Sequence, residues 1–117
     1  AHLTGRGVAS LSADTLVLEA SGMPNSSCLY FQGTTQSSTA FGDGLRCAAG
    51  SVIRLGSKFN SSGDSRYPAA GDVSVSVRGV VTAASTRTYQ AWYRNATAFC
   101  TASTFNLTNG YAVLWRP

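Results

Sequence analysis

Tyr89-Gln90-Ala91-Trp92-Tyr93-Arg94 sets Tyr89, Ala91 and Tyr93 on one parity and Gln90, Trp92 and Arg94 on the other. A period of two is that of extended backbone, whose successive side chains leave opposite faces. The same pattern recurs on either side. Tyr111, Val113 and Trp115 alternate with Ala112 and Leu114, and Ile53 and Leu55 with Val52 and Arg54. Leu29 and Phe31 alternate with Cys28, Tyr30 and Gln32; Leu16, Leu18 and Ala20 with Val17 and Glu19. The cleanest alternation is Val73, Val75 and Val77 against Ser74, Ser76 and Arg78, which predicts a strand there.

Turn signals separate these segments. Ser21 to Asn25 carries Gly22 and Pro24, and Asp43-Gly44 supplies the positive φ of a tight hairpin. Residues 56–71 read as a long polar loop, Val80 to Arg87 as a crossing turn, and Asn106 to Gly110 as another turn. Apolar spacing of helical type is absent. The expectation is an all-β fold, an antiparallel β-sandwich of about seven strands, immunoglobulin-like or jelly-roll-like. Residues 13–117 form its single domain. Residues 1–12, with Leu3, Val8 and Leu11 among glycines and polar residues, form an N-terminal arm or edge strand. Those three side chains are the candidate subunit contact, because a terminal strand can complete a neighbour's sheet.

The chain has 117 residues, room for one domain. Ser, Thr and Gly number 16, 12 and 12, while only 12% of residues are charged, so polarity is carried by hydroxyls rather than by ions. That composition excludes coiled coils and helical bundles, and no apolar run approaches the ~20 residues of a membrane-spanning helix. No apolar leader precedes Ala1, so an exported chain is expected in processed form. The net charge of +4 comes from eight Arg and one Lys against five acids. The basic residues are scattered singly, without the clustered footprint of a nucleic-acid binder, so no nucleic acid is expected as a partner.

The Ser/Thr-rich, Lys-poor composition suggests an exported protein, where disulfides persist, and the three cysteines, Cys28, Cys47 and Cys100, leave an odd number. Of the three pairings, Cys47 with Cys100 is favoured, since both adjoin apolar strand segments and turn sequence. It would close a loop of about 53 residues, worth about 4 kcal/mol on the chain-entropy view. Cys28 is then a buried small hydrophobe or a partner contact. No CxxC pair or DxDxD spacing occurs, so neither metal nor cofactor is expected.

Catalysis has little to stand on. The only histidine, His2, lies in the arm, and Asp14, Glu19, Asp43, Asp64 and Asp72 sit at turns and strand ends, where Asx geometry accounts for them. Four N-x-S/T sequons start at Asn25, Asn60, Asn95 and Asn106, and these are candidate glycosylation sites. Among the aromatics, Trp92 and Trp115 are the candidates for stacking on sugar rings, against the plainer reading that they fill the core.

Three segments, Phe41-Gly42-Asp43-Gly44-Leu45-Arg46-Cys47, Tyr89-Gln90-Ala91-Trp92-Tyr93-Arg94-Asn95 and Phe105-Asn106-Leu107-Thr108-Asn109-Gly110, resemble signature pieces of uncharacterised secreted bacterial β-sandwich modules. The resemblance spans Leu16 to Trp115 and departs at Asn95, where such modules often carry Asp. It implies a secreted or cell-surface location and supplies no catalytic residues. The expectation is thus a non-enzymatic extracellular structural module, a filament or matrix subunit joined through its N-terminal strand. The alternative is a carbohydrate-binding module with surface glycans as partners.

Overall fold

The computed structural model describes residues 2–23, 27–41, 44–94 and 105–117. They form ten strands and one helical turn: β1 (His2–Arg6), β2 (Val17–Ser21), β3 (Ser27–Gly33), β4 (Thr35–Phe41), β5 (Gly44–Ala49), β6 (Ile53–Phe59), β7 (Ser65–Tyr67), α1 (Val75–Arg78), β8 (Ser85–Arg94), β9 (Phe105–Leu107) and β10 (Tyr111–Trp115). All strand pairings are antiparallel. One sheet runs β1-β2-β7; a second runs β10-β8-β3-β6, with β9 also on β8; the hairpin β4-β5 is a third piece. The fold is all-β and sandwich-like, as the alternation requires, with more and shorter strands than the seven expected.

The two larger sheets face each other across the main core. Leu3, Leu18, Ala20 and Tyr67 come from the three-stranded sheet; Cys28, Tyr30, Tyr89, Ala91, Tyr93 and Trp115 come from the inner face of the larger one. The odd positions of β8 point inward, as Tyr89-Gln90-Ala91-Trp92-Tyr93 predicts. The hairpin β4-β5 lies on the outer face. Its backbone approaches Gly33 so closely that a Cβ there would meet Ala48 C at 2.8 Å, so only glycine fits where β3 hands over to β4. The hairpin's Phe41 pairs with Gly44; Asp43, expected in its turn, lies outside the described residues.

Two glutamines make the layers cohere. Both Gln32 and Gln90 are fully buried, and a buried amide must find partners. Gln90 Oε1 accepts from the backbone N–H of Cys47 (2.8 Å) and Ala48 (3.3 Å), and its Nε2 donates to Thr108 O, pinning the hairpin to β8. In the core, Trp115 Nε1 donates to Tyr89 Oη, which donates to Gln32 Oε1, both at 2.8 Å. Gln32 Nε2 donates in turn to Gly79 O at 2.9 Å. Burial raises the Tyr89 pKa, so its hydroxyl stays protonated.

Two expectations are corrected. The strand expected over Val73 to Arg78 is a helical turn, with Arg78 N–H on Ser74 O (3.0 Å) and Gly79 N–H on Val75 O (2.8 Å). Alternation would bury Val73, Val75 and Val77 together. Instead Val75 alone enters the core, and Val73 and Val77 are exposed. Tertiary partners decide the matter: Asp14 Oδ2 takes the Ser76 N–H at 2.8 Å and Gln32 takes the Gly79 carbonyl, so local β propensity is overridden. The loop expected over 56–71 contains the end of β6 and all of β7. Its polar residues hid a strand whose Lys58 pairs with Asp72 and lies 5.6 Å from the Tyr67 ring centroid.

The N-terminal segment belongs to the same body. β1 pairs with β2 from His2↔Ser21 to Arg6↔Val17. Leu3 donates its N–H to Asn109 Oδ1 (2.8 Å), and Asn109 Nδ2 donates to Leu3 O (3.0 Å), so one side chain imitates a strand partner.

Two predictions follow from these contacts. Tyr89→Phe strands the Trp115 N–H and one Gln32 lone pair, and should cost about 2–4 kcal/mol in urea unfolding; a loss under about 0.5 kcal/mol would show the relay to be idle. The Asp72 pKa is lowered, first by the hydrogen bond from Lys58 and then by the Ala69 N–H. The folded pKa lies below the unfolded one, so this stabilisation is present at neutral pH and is lost as pH falls from about 5 through the folded value. Asp72→Asn should therefore flatten that part of the stability–pH curve; an unchanged slope would refute the linkage.

Candidate functional site

The outer face of the larger sheet is covered by the hairpin over Gln90 and left open beyond it. Register defines what stands there. Leu29 of β3 lies opposite Trp92 of β8 and Ser57 of β6, and Phe31 lies opposite Arg54. Between these rows β6 carries a bulge at Tyr30/Phe31, where Leu55 is the extra residue. Such an insertion resets which residues face outward. Leu55 drops into the core at 3% exposure while Arg54 and Ser57 both reach the outer face.

These residues line a groove of about 620 Å³, joined by Val52 and by Arg78 from α1. Its volume is that of a small-ligand site. Trp92 is half-buried and packs beside Phe31, Ala48 and Leu107, so the ring is held by its neighbours while lining the groove. Arg78 is also held, its Nε donating to the bulged Leu55 carbonyl at 3.1 Å. That bond uses one of five guanidinium N–H donors. Three acids are engaged elsewhere: Glu19 with Arg6 at 3.1 Å, Asp72 with Lys58, and Asp14 on the N–H groups of Leu16 and Ser76. Two cations thus flank an aromatic and aliphatic floor, and no acid lines it among the described residues.

The sequence candidates separate clearly. Trp92 lies in the groove. Trp115, the other stacking candidate, is fully buried and bonded to Tyr89, so its ring cannot meet a sugar, and that expectation is corrected. The three arm residues do not form one contact surface. Leu3 is fully buried, Leu11 packs half-buried against the core, and Val8 is 59% exposed. A donated first strand would have to leave this chain's own core.

Asn60 is buried at 8% exposure. Asn25 and Asn95 lie outside the described residues, as does the Asn106 side chain. No disulfide joins the described residues; Cys47 is half-buried and Cys100, its expected partner, lies outside them. Cys28 is buried as expected of a small hydrophobe, its Sγ 3.2 Å from Ser65 Oγ, and burial raises its pKa. His2 stands exposed on an edge strand. Among the described residues no group of three or more His, Cys, Asp or Glu could hold a metal ion, and no helix is long and apolar enough to cross a membrane.

Sequence reasoning passed over Arg54 and Arg78, read as solvated charges, and Leu29 and Phe31, read as one strand among several. Their meeting depends on cross-strand register and on the bulge, neither of which a period of two reveals. The fold and groove define an all-β sandwich with one open, cation-flanked sheet face. No family model, curated protein or solved structure matches the chain.

The two tryptophans give a direct check. Acrylamide should quench the native emission in part, through Trp92, and Trp92→Phe should leave a blue-shifted signal from Trp115 that is nearly insensitive to quencher. Steep quenching in that variant would contradict the burial of Trp115.

Proposed function

We propose that this chain is a secreted, extracellular module that binds polysaccharide on the open face of its larger sheet. The observation that carries the reading is the groove itself. A half-buried indole stands beside Leu29 and Phe31 on a sheet face that solvent would otherwise favour as polar. A concave, mostly apolar groove with a few polar groups at its border is the ordinary form of a ligand site. Sugar rings present apolar C–H faces and hydroxyl edges, a chemistry that matches an aromatic floor with guanidinium and hydroxyl groups at its border. Rigid mounting matters as much as composition, because a side chain already ordered loses little entropy on binding.

The extracellular setting is supported by the hydroxyl-rich, lysine-poor composition and by the resemblance to exported bacterial modules. The groove favours this reading over strand donation, which would require β1 to take Leu3 out of the chain's own core. Retention on insoluble polysaccharides such as cellulose, chitin and xylan, together with affinity electrophoresis in soluble ones, tests the proposal. At least one glycan should retain the protein, and Trp92→Ala should lower that retention about ten-fold or more, with a thermal melt confirming that the variant, which also loses the packing on Phe31 and Leu107, remains folded. Retention unaffected by Trp92→Ala would sink it.

A further inference from the structure

We infer that the ligand of this groove is an acidic polysaccharide built from uronic-acid units, with Arg54 and Arg78 receiving the sugar carboxylates. The inference rests on the polysaccharide reading above and adds the charge of the ligand to it.

Two acids are already taken by cations outside the groove, Glu19 by Arg6 and Asp72 by Lys58. In the groove two guanidinium groups come from different elements, β6 and α1, onto one apolar floor, and no acid among the described residues lines it. Two guanidinium groups on one sheet face make its potential positive and favour an anionic ligand.

Geometry narrows the anion. Arg78 is fixed through its Nε to Leu55 O, so its guanidinium plane is set before any ligand arrives. The Arg54 backbone stands in register opposite Phe31, on the same sheet face. A guanidinium presents a planar fork matched to the two coplanar oxygens of a carboxylate, and such charge-assisted pairs are short and strong. The apolar lining shared with the two forks includes Trp92, Leu29 and Phe31, which suits the C–H face of a pyranose. A polymer of uronic acids offers both features in one repeating unit, with the carboxylate on the ring edge and the apolar face beside it.

The electrostatic part of such binding is salt-sensitive, because the groove is open to solvent. Arg78→Lys keeps the charge and loses the fork, and so separates geometry from charge alone.

The test is titration of the intact chain, followed by Trp92 fluorescence, with polygalacturonate and with the same polymer fully methyl-esterified. Esterification removes the charge and leaves the backbone in place. Polygalacturonate should bind at least ten-fold more tightly than its ester, and the preference should shrink as salt is raised. Arg54→Gln and Arg78→Gln should each cut it several-fold, and Arg78→Lys should not restore it fully; thermal melts of each variant confirm folding.

Equal binding of the ester and the acid, still dependent on Trp92, overturns the uronate inference and leaves the polysaccharide reading standing. Equal binding of dextran sulfate and polygalacturonate overturns the carboxylate assignment. If no glycan, acidic or neutral, perturbs Trp92, the polysaccharide reading falls and this inference with it.

Discussion

The sandwich turns on a directed run of hydrogen bonds through its middle, from the Trp115 indole to Tyr89, from Tyr89 to Gln32, and from Gln32 to the Gly79 carbonyl. It links the last strand, the two central strands and the turn after α1. Each member is buried, so each bond carries the full cost of desolvation if it is left unmade. An apolar core would hold the sheets together; this run also specifies which residue stands beside which. Gln32 is the junction. Its partner at Gly79 must be glycine, because a Cβ there would collide with the glutamine amide.

A second glutamine works on the other side of the sheet. Gln90 binds the hairpin backbone at Cys47 and Ala48 and the Thr108 carbonyl, and by doing so it divides the outer face in two. One part becomes a small core of Phe31, Ala48 and Leu107. The other part stays open and carries the groove. Trp92 sits on the boundary, braced on one side and lining the groove on the other.

Much of the architecture was legible in the chain. The parity of Tyr89, Ala91 and Tyr93 places all three inside, and the parities of Leu18 and Ala20 and of Val113 and Trp115 do the same. Failure came where side chains alternate for another reason or where burial is two-sided. Val73 to Val77 has the ideal pattern of a strand, yet distant groups on Asp14 and Gln32 fix its backbone as a turn. Ser57 to Phe59 looks like loop because its residues are polar, small or fully exposed, and β6 nevertheless pairs with β3 there. Of the groove, only Trp92 stood out in the sequence. Arg54 and Arg78 lie 24 positions apart and both line the groove, Arg54 turned outward beside a bulge and Arg78 held by a carbonyl on the same bulge.

That bulge has another consequence. β6 is the outermost strand of its sheet, and an unpaired edge with regular spacing is a template on which a foreign strand can zip up into an aggregate. Here the spacing is broken by the extra residue, and the Leu55 carbonyl is already occupied by an arginine. The distortion that shapes a binding face also disarms the molecule's most vulnerable border.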